Sequence, residues 1–138
     1  MLSVISNNLR LVGRIAVRSL SSSHEIDIGM YEKRADETLE SISDYVSDIG
    51  EKLSADIDVS LSMGVLSMAI ANSGTFVLNK QRPNLQLWLS SPISGPRRYD
   101  LLNGKWICAR EHEGLDVLLT REFTQLFPST TIDFSSHT

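Results

Sequence analysis

Five carboxylates, Glu37, Glu40, Asp44, Asp48 and Glu51, follow one another at steps of three, four, four and three residues. On an α-helix that spacing lines them along a single face, and oxygen ligands in such a row suit hard cations held through carboxylate and water. Each like-charged i,i+4 pair costs about 0.2–0.5 kcal/mol, and Asp48 and Glu51 stand where a helix dipole favours cations. Stability would not choose this stripe, although a merely solvated face is the plain alternative. Asp56 and Asp58 carry the negative charge into the next segment. A second chemically loaded group surrounds Trp88, with Gln86 and Ser90 beside it, Asn79 and Gln81 before it, and Arg97 and Arg98 after it. An indole ringed by carboxamides and guanidinium groups has the composition of an interaction hot spot, provided that no loop covers it.

The elements that must position these groups are legible in the hydrophobic pattern. Tyr31, Ala35, Leu39, Ile42, Tyr45, Val46 and Ile49 recur at helical spacing and predict a helix that buries one face, with Gly50 as its stop. The period then changes to two. Ile57, Val59 and Leu61 alternate with Asp58, Ser60 and Ser62, and further strands are predicted at Val65–Ile70, Thr75–Gln81, Leu85–Ser91, Arg97–Leu102 and Lys105–Arg110. Asn72-Ser73-Gly74 and Asn103-Gly104 are hairpin signals, because Asn and Gly accept positive φ. Helical spacing returns at Leu115, Leu118, Leu119, Glu122, Leu126 and Phe127, before Pro128. Strands joined by tight turns pair antiparallel, so the expected fold is α+β: a two-layer α-β sandwich with two terminal helices on one face of an antiparallel sheet. Leu85, Leu87 and Leu89 then point to the helices, while Gln86, Trp88 and Ser90 point to water.

At 138 residues, 41% hydrophobic and 22% charged, the chain fits one domain, which excludes a multidomain enzyme. Residues 1–24 hold three arginines and no acid, and the remainder holds ten bases against seventeen acids. So acidic a body argues against binding a nucleic-acid backbone and favours metal ions or basic partners. The single cysteine, Cys108, allows no intrachain disulfide, and the three histidines make no zinc spacing. No apolar run approaches the roughly 18 residues that a membrane crossing needs, which points to a soluble protein without stable membrane insertion.

The first two dozen residues form a different kind of segment. Arg10, Arg14 and Arg18 stack on one helical face opposite Ile5, Leu9, Val12 and Ala16. This basic, Ser-rich, acid-free pattern predicts a mitochondrial transit peptide over residues 1–24 ahead of a body at 25–138; a surface or membrane-surface helix is the alternative.

The run from Asn79 to Asp100, Asn-Lys-Gln-Arg-Pro-Asn-Leu-Gln-Leu-Trp-Leu-Ser-Ser-Pro-Ile-Ser-Gly-Pro-Arg-Arg-Tyr-Asp, closely resembles the signature segment of the frataxin family of iron–sulfur cluster assembly. Similarity extends over about residues 28–127, through Tyr31-Glu32, Asp36-Glu37-Thr38-Leu39, Asp58-Val59-Ser60, Gly64-Val65-Leu66 and Trp106. The resemblance implies a protein of the mitochondrial matrix that binds ferrous and ferric iron on an acidic ridge. It also implies docking through the sheet onto a complex of cysteine desulfurase and scaffold protein. By position the ridge falls on Glu32, Asp36, Glu40, Asp44, Asp48, Glu51, Asp56 and Asp58, and the docking residues on Asn79, Lys80, Gln81, Asn84, Gln86, Trp88 and Arg98. Ser47 stands where relatives commonly carry an acid, the link from Lys52 to Asp58 is shorter, and the tail after Phe127 is short for a segment that packs between the helices in the family.

These readings lead to an iron-binding allosteric activator or iron chaperone, monomeric, with iron-driven oligomers as an option. The rival is a ferroxidase that oxidises Fe(II) and stores the product. Ferritin-like di-iron sites use Glu-x-x-His, and no histidine here has Glu three residues before it. A binding module for an unrelated basic protein is a third reading. Cys108, on a predicted strand, reads as a small packing residue, Tyr99 and Trp106 as sheet packing, and His112 as a loop residue between Glu111 and Glu113. His24 falls at the expected processing boundary.

Overall fold

Asp27 opens the first helix by accepting the Met30 N–H at 2.8 Å, and α1 then runs Ile28–Leu53 with Tyr31, Ala35, Thr38, Leu39, Ile42, Val46 and Ile49 on its buried face. The computed structural model describes residues 26–138, so the expected transit peptide and His24 lie outside the described residues. Gly50 does not stop the helix. A glycine ends a helix only where it takes the left-handed conformation, and here Ser54 does so, at φ 49°, with its N–H on the Glu51 and Gly50 carbonyls.

Seven strands follow in sequential order, each antiparallel to its neighbours: β1 (Ile57–Ser62), β2 (Val65–Ile70), β3 (Gly74–Gln81), β4 (Gln86–Ser91), β5 (Gly95–Leu102), β6 (Lys105–Cys108) and β7 (Glu113–Gly114). Two differences from the sequence reading have local causes. Leu85 caps a 3-10 turn over Arg82–Asn84 at φ 51° and packs on the core from that turn instead of from a strand. The chain leaves β6 at Cys108, whose carbonyl accepts the His112 N–H at 2.7 Å, and returns as β7, which is too short to carry an alternation.

Asn103-Gly104 makes its hairpin with φ 51° and 77°, and Met63-Gly64 makes the same kind of turn with φ 51° and 75° but without the Asn or Asp that would announce it. Gly74, at φ 101°, is required twice over, since a Cβ there would lie 2.6 Å from Pro92 Cβ.

On the inner face Leu66, Met68, Ile70, Phe76, Leu78, Leu87, Leu89, Tyr99, Leu101 and Trp106 are buried against α1 and α2 (Leu115–Leu126). Both helices thus cover one side of the sheet, the expected α-β sandwich. Hydrogen bonds fix α1 to the sheet: Tyr31 Oη donates to the Gln86 carbonyl at 2.8 Å, and Trp106 Nε1 donates to Thr38 Oγ1 at 2.9 Å.

The tail, though short, reaches the groove between the helices. Ile132 and Phe134 are buried, with the Phe134 ring 4.9 Å from Tyr45 of α1 and 5.1 Å from Phe123 of α2. The Phe134 N–H donates to Thr120 Oγ1 at 2.9 Å, the Asp133 N–H donates to Tyr45 Oη at 3.0 Å, and His137 stacks on Tyr45 at 4.1 Å.

Candidate functional site

Strand alternation sorts the open face of the sheet. In β3 and β4 the buried residues are Phe76, Leu78, Leu87, Leu89 and Ser91, so Asn79, Gln81, Gln86 and Trp88 turn outward. Register then aligns them. Asn79 pairs with Trp88 and Trp88 with Arg98, while Gln81 pairs with Gln86 and Gln86 with Asp100. The expected docking residues Asn79, Gln81, Gln86, Trp88 and Arg98 are therefore brought together in two adjacent rows, with Asn84 exposed in the 3-10 turn at their end.

Trp88 lies on this face but is half-buried, because the Arg98 guanidinium covers its ring at 4.7 Å from the centroid. The indole Nε1 donates to Gln86 Oε1 at 2.9 Å, and Gln86 Nε2 donates to Asp100 Oδ1 at 2.9 Å. This chain of hydrogen bonds fixes the ring plane. Asp100 was not singled out by the sequence; its place opposite Gln86 across a hairpin was the signal available. A cavity of about 430 Å³ opens beside the stack, lined by Gln86, Arg97, Arg98, Asp100, Arg110 and Glu111 among others.

Lys80 does not belong to this face. It shares the parity of Phe76 and Leu78, so its side chain runs to the helix side, where Nζ pairs with Glu32 and, at 2.8 Å, with Asp36. Burial pulls the Lys80 pKa down, but the hydrogen bonds to Asp36 and Glu32 outweigh it and hold the group above the usual lysine range.

The acidic stripe is formed as expected, and its members differ in what they touch. Glu32 meets Lys80 and, at 3.2 Å, Arg82; Asp36 meets Lys80; Glu37 meets Lys33 and Arg34. Glu40, Asp44, Asp48, Glu51, Asp56 and Asp58 are exposed and have no ion pair among the described residues. Asp58, between the inward Ile57 and Val59, points to the open face and so is separated from the helical stripe. Hard oxygen donors spaced one turn apart suit a weakly held divalent ion completed by water. Among the described residues no three His, Cys, Asp or Glu side chains converge into one metal-binding group.

Two helices on one face of a seven-stranded antiparallel sheet, with a helical acid stripe and Trp88 on the open face, define a two-layer α-β sandwich. The chain matches the frataxin-like domain over residues 24–129. It is 50% identical over 125 residues to mitochondrial frataxin of Caenorhabditis elegans, covering 88% of this chain and 92% of the relative. It is 45% identical over 93 residues to the mitochondrial frataxin homologue of Saccharomyces cerevisiae, covering 67% of this chain but 53% of that relative. Among solved structures, a trimeric S. cerevisiae frataxin complexed with ferrous iron superimposes with a TM-score of 0.61 at 43% identity, over 67% of this chain and 83% of the other. Another yeast frataxin structure gives 0.66 at 38% identity, over 78% and 88%. The chain belongs to the frataxin family. Its relatives are mitochondrial proteins, and it is mitochondrial with them.

Proposed function

We propose that this frataxin-family chain is an iron-binding, non-catalytic activator of the cysteine desulfurase and scaffold complex that builds iron–sulfur clusters in the mitochondrial matrix. Residues 1–24 act as its cleaved transit peptide. The observation that carries the reading is the Asn79–Trp88–Arg98 row, an aromatic anchor held in a fixed plane on a sheet face that neither helix covers among the described residues. Such an anchor buries its ring in a partner's pocket while the surrounding amides supply polar contacts. Arg98 and the neighbouring cavity, with Arg97 and Arg110 on its wall, suit an acidic or cysteine-bearing loop of the scaffold. The acid stripe on α1 faces the other way, suits basic residues of the desulfurase, and raises the encounter rate by long-range attraction.

Iron is cargo in this scheme, carried on Glu40, Asp44, Asp48 and Glu51 and shared with water. The yeast relative complexed with ferrous iron supports this reading, and the trimeric form of that relative supports iron-loaded assemblies of an otherwise monomeric chain. Open carboxylates one helical turn apart favour carriage over a ferroxidase centre, which needs converging ligands.

Stimulation of sulfide production in a reconstituted desulfurase and scaffold mixture tests the docking face. Trp88→Ala is expected to lose at least about tenfold in apparent affinity, the range of a hot-spot aromatic, with an unchanged far-UV spectrum. Stimulation equal to that of the native chain would remove the docking model.

A further inference from the structure

The acid stripe is not uniform, and the difference comes from the sheet. Lys80 leaves β3 on the helix side, its side chain only 17% exposed, and its ammonium reaches both Glu32 and Asp36, which are one helical turn apart on α1. Gly64 guides the stem: a Cβ there would lie 3.2 Å from Lys80 Cδ, so a glycine at this position of the β1–β2 turn leaves the lysine its path. Arg82, from the 3-10 turn, meets the other oxygen of Glu32 at 3.2 Å. One end of the stripe therefore has resident cations, and the other end, from Glu40 to Glu51, has no ion pair among the described residues.

We propose that Lys80, assisted by Arg82, is a built-in counter-cation that withholds Glu32 and Asp36 from metal, so that the metal-carrying part of the stripe begins at Glu40 and runs toward Glu51. A divalent ion claiming Glu32 and Asp36 must first expel an ammonium hydrogen-bonded to both, and the displaced lysine would then sit near the incoming charge. At Asp44 and Asp48 no such expulsion is needed. Specificity along the helix is thus set by a strand residue on the opposite layer. This inference deepens the iron-carrier reading and rests on it for its biological meaning, while its physical content is testable with Mn(II) alone.

The experiment is a Mn(II) titration of the ¹⁵N-labelled chain, followed by paramagnetic broadening of backbone amides. The amides of Tyr31 and Glu32 lie about 25 Å along the helix from those of Asp48 and Ile49, far enough for the steep distance dependence of broadening to separate them. In the native chain Asp48 and Ile49 are expected to broaden first, with Tyr31 and Glu32 requiring about tenfold more Mn(II), the scale of one neutralised charge pair in partly screened surroundings. In Lys80→Met the two ends are expected to broaden together. Lys80→Gln carries the same readout should methionine disturb the fold. Equal broadening of both ends in the native chain overturns the proposal, as does a Tyr31–Glu32 end unchanged in both variants. Broadening at Tyr31 and Glu32 in the variants, with none anywhere on α1 in the native chain, upholds the role of Lys80 and instead removes the carrier reading.

Discussion

Single residues decide more here than their types suggest, and Ser91 is the clearest case. Its buried hydroxyl donates to Glu122 Oε2 at 2.5 Å while accepting the N–H groups of Ile93 and Ser94 at 3.0 and 3.1 Å. Glu122 is itself 2% exposed, so the serine is the hydrogen-bond donor that the structure gives to a buried carboxyl. Ser91→Ala should therefore destabilise the fold by about 1–3 kcal/mol in urea unfolding, the cost of stranding buried polar groups, whereas Ser90→Ala on the open face should stay within about 0.5 kcal/mol. The sequence placed Glu122 on the buried face of its helix but could not name its partner, because Ser91 lies on another element and only the fold joins them. Lys80 teaches the converse. Its parity with Phe76 and Leu78 was present in the sequence and assigns it to the helix side, yet its place in the signature run grouped it with the docking amides.

At the scale of elements, period and turn chemistry made six of the seven strands and both helices legible, because each buries one face in a regular rhythm. What escaped has no rhythm, the two-residue β7 and the Met63-Gly64 turn, and the tail's place between the helices came from the family resemblance alone. Phe134 follows Ile132 among serines, threonines and an aspartate, and nothing local says that it fills the groove between α1 and α2. The tail behaves as a strap across the two helices, fixed by backbone bonds to Tyr45 and Thr120. Phe134→Ala should cost about 3–5 kcal/mol, the range for emptying a buried aromatic site, measured as a lowered urea midpoint. His137→Ala removes a partly exposed ring stacked on Tyr45 and should cost less than Phe134→Ala in the same measurement.

For the molecule as a whole, acid stability and optical behaviour both follow from the two-layer arrangement. Glu113 of β7 is paired with Arg121 of α2, and the hydrogen bond from the guanidinium holds its carboxyl below the usual carboxylate range. A folded-state pKa lowered in this way adds stability above the unfolded value of about 4.3, and that stability is lost as the pH falls through the folded value. Arg121 is half-exposed, so solvent screening limits the pair to about 0.5–1 kcal/mol. Native chain and Glu113→Gln should therefore differ by that amount in urea unfolding at pH 6 and converge toward pH 3. The chain has two tryptophans, and the sandwich assigns them to opposite sides: Trp106 is 1% exposed in the core, and Trp88 is half-buried under Arg98 on the face away from the helices. Their emission consequently has two sources with separate fates. A collisional quencher in the buffer silences the outer lamp and leaves the inner one lit until the layers come apart, so occupancy of the sheet and integrity of the core can be followed in one cuvette without any label.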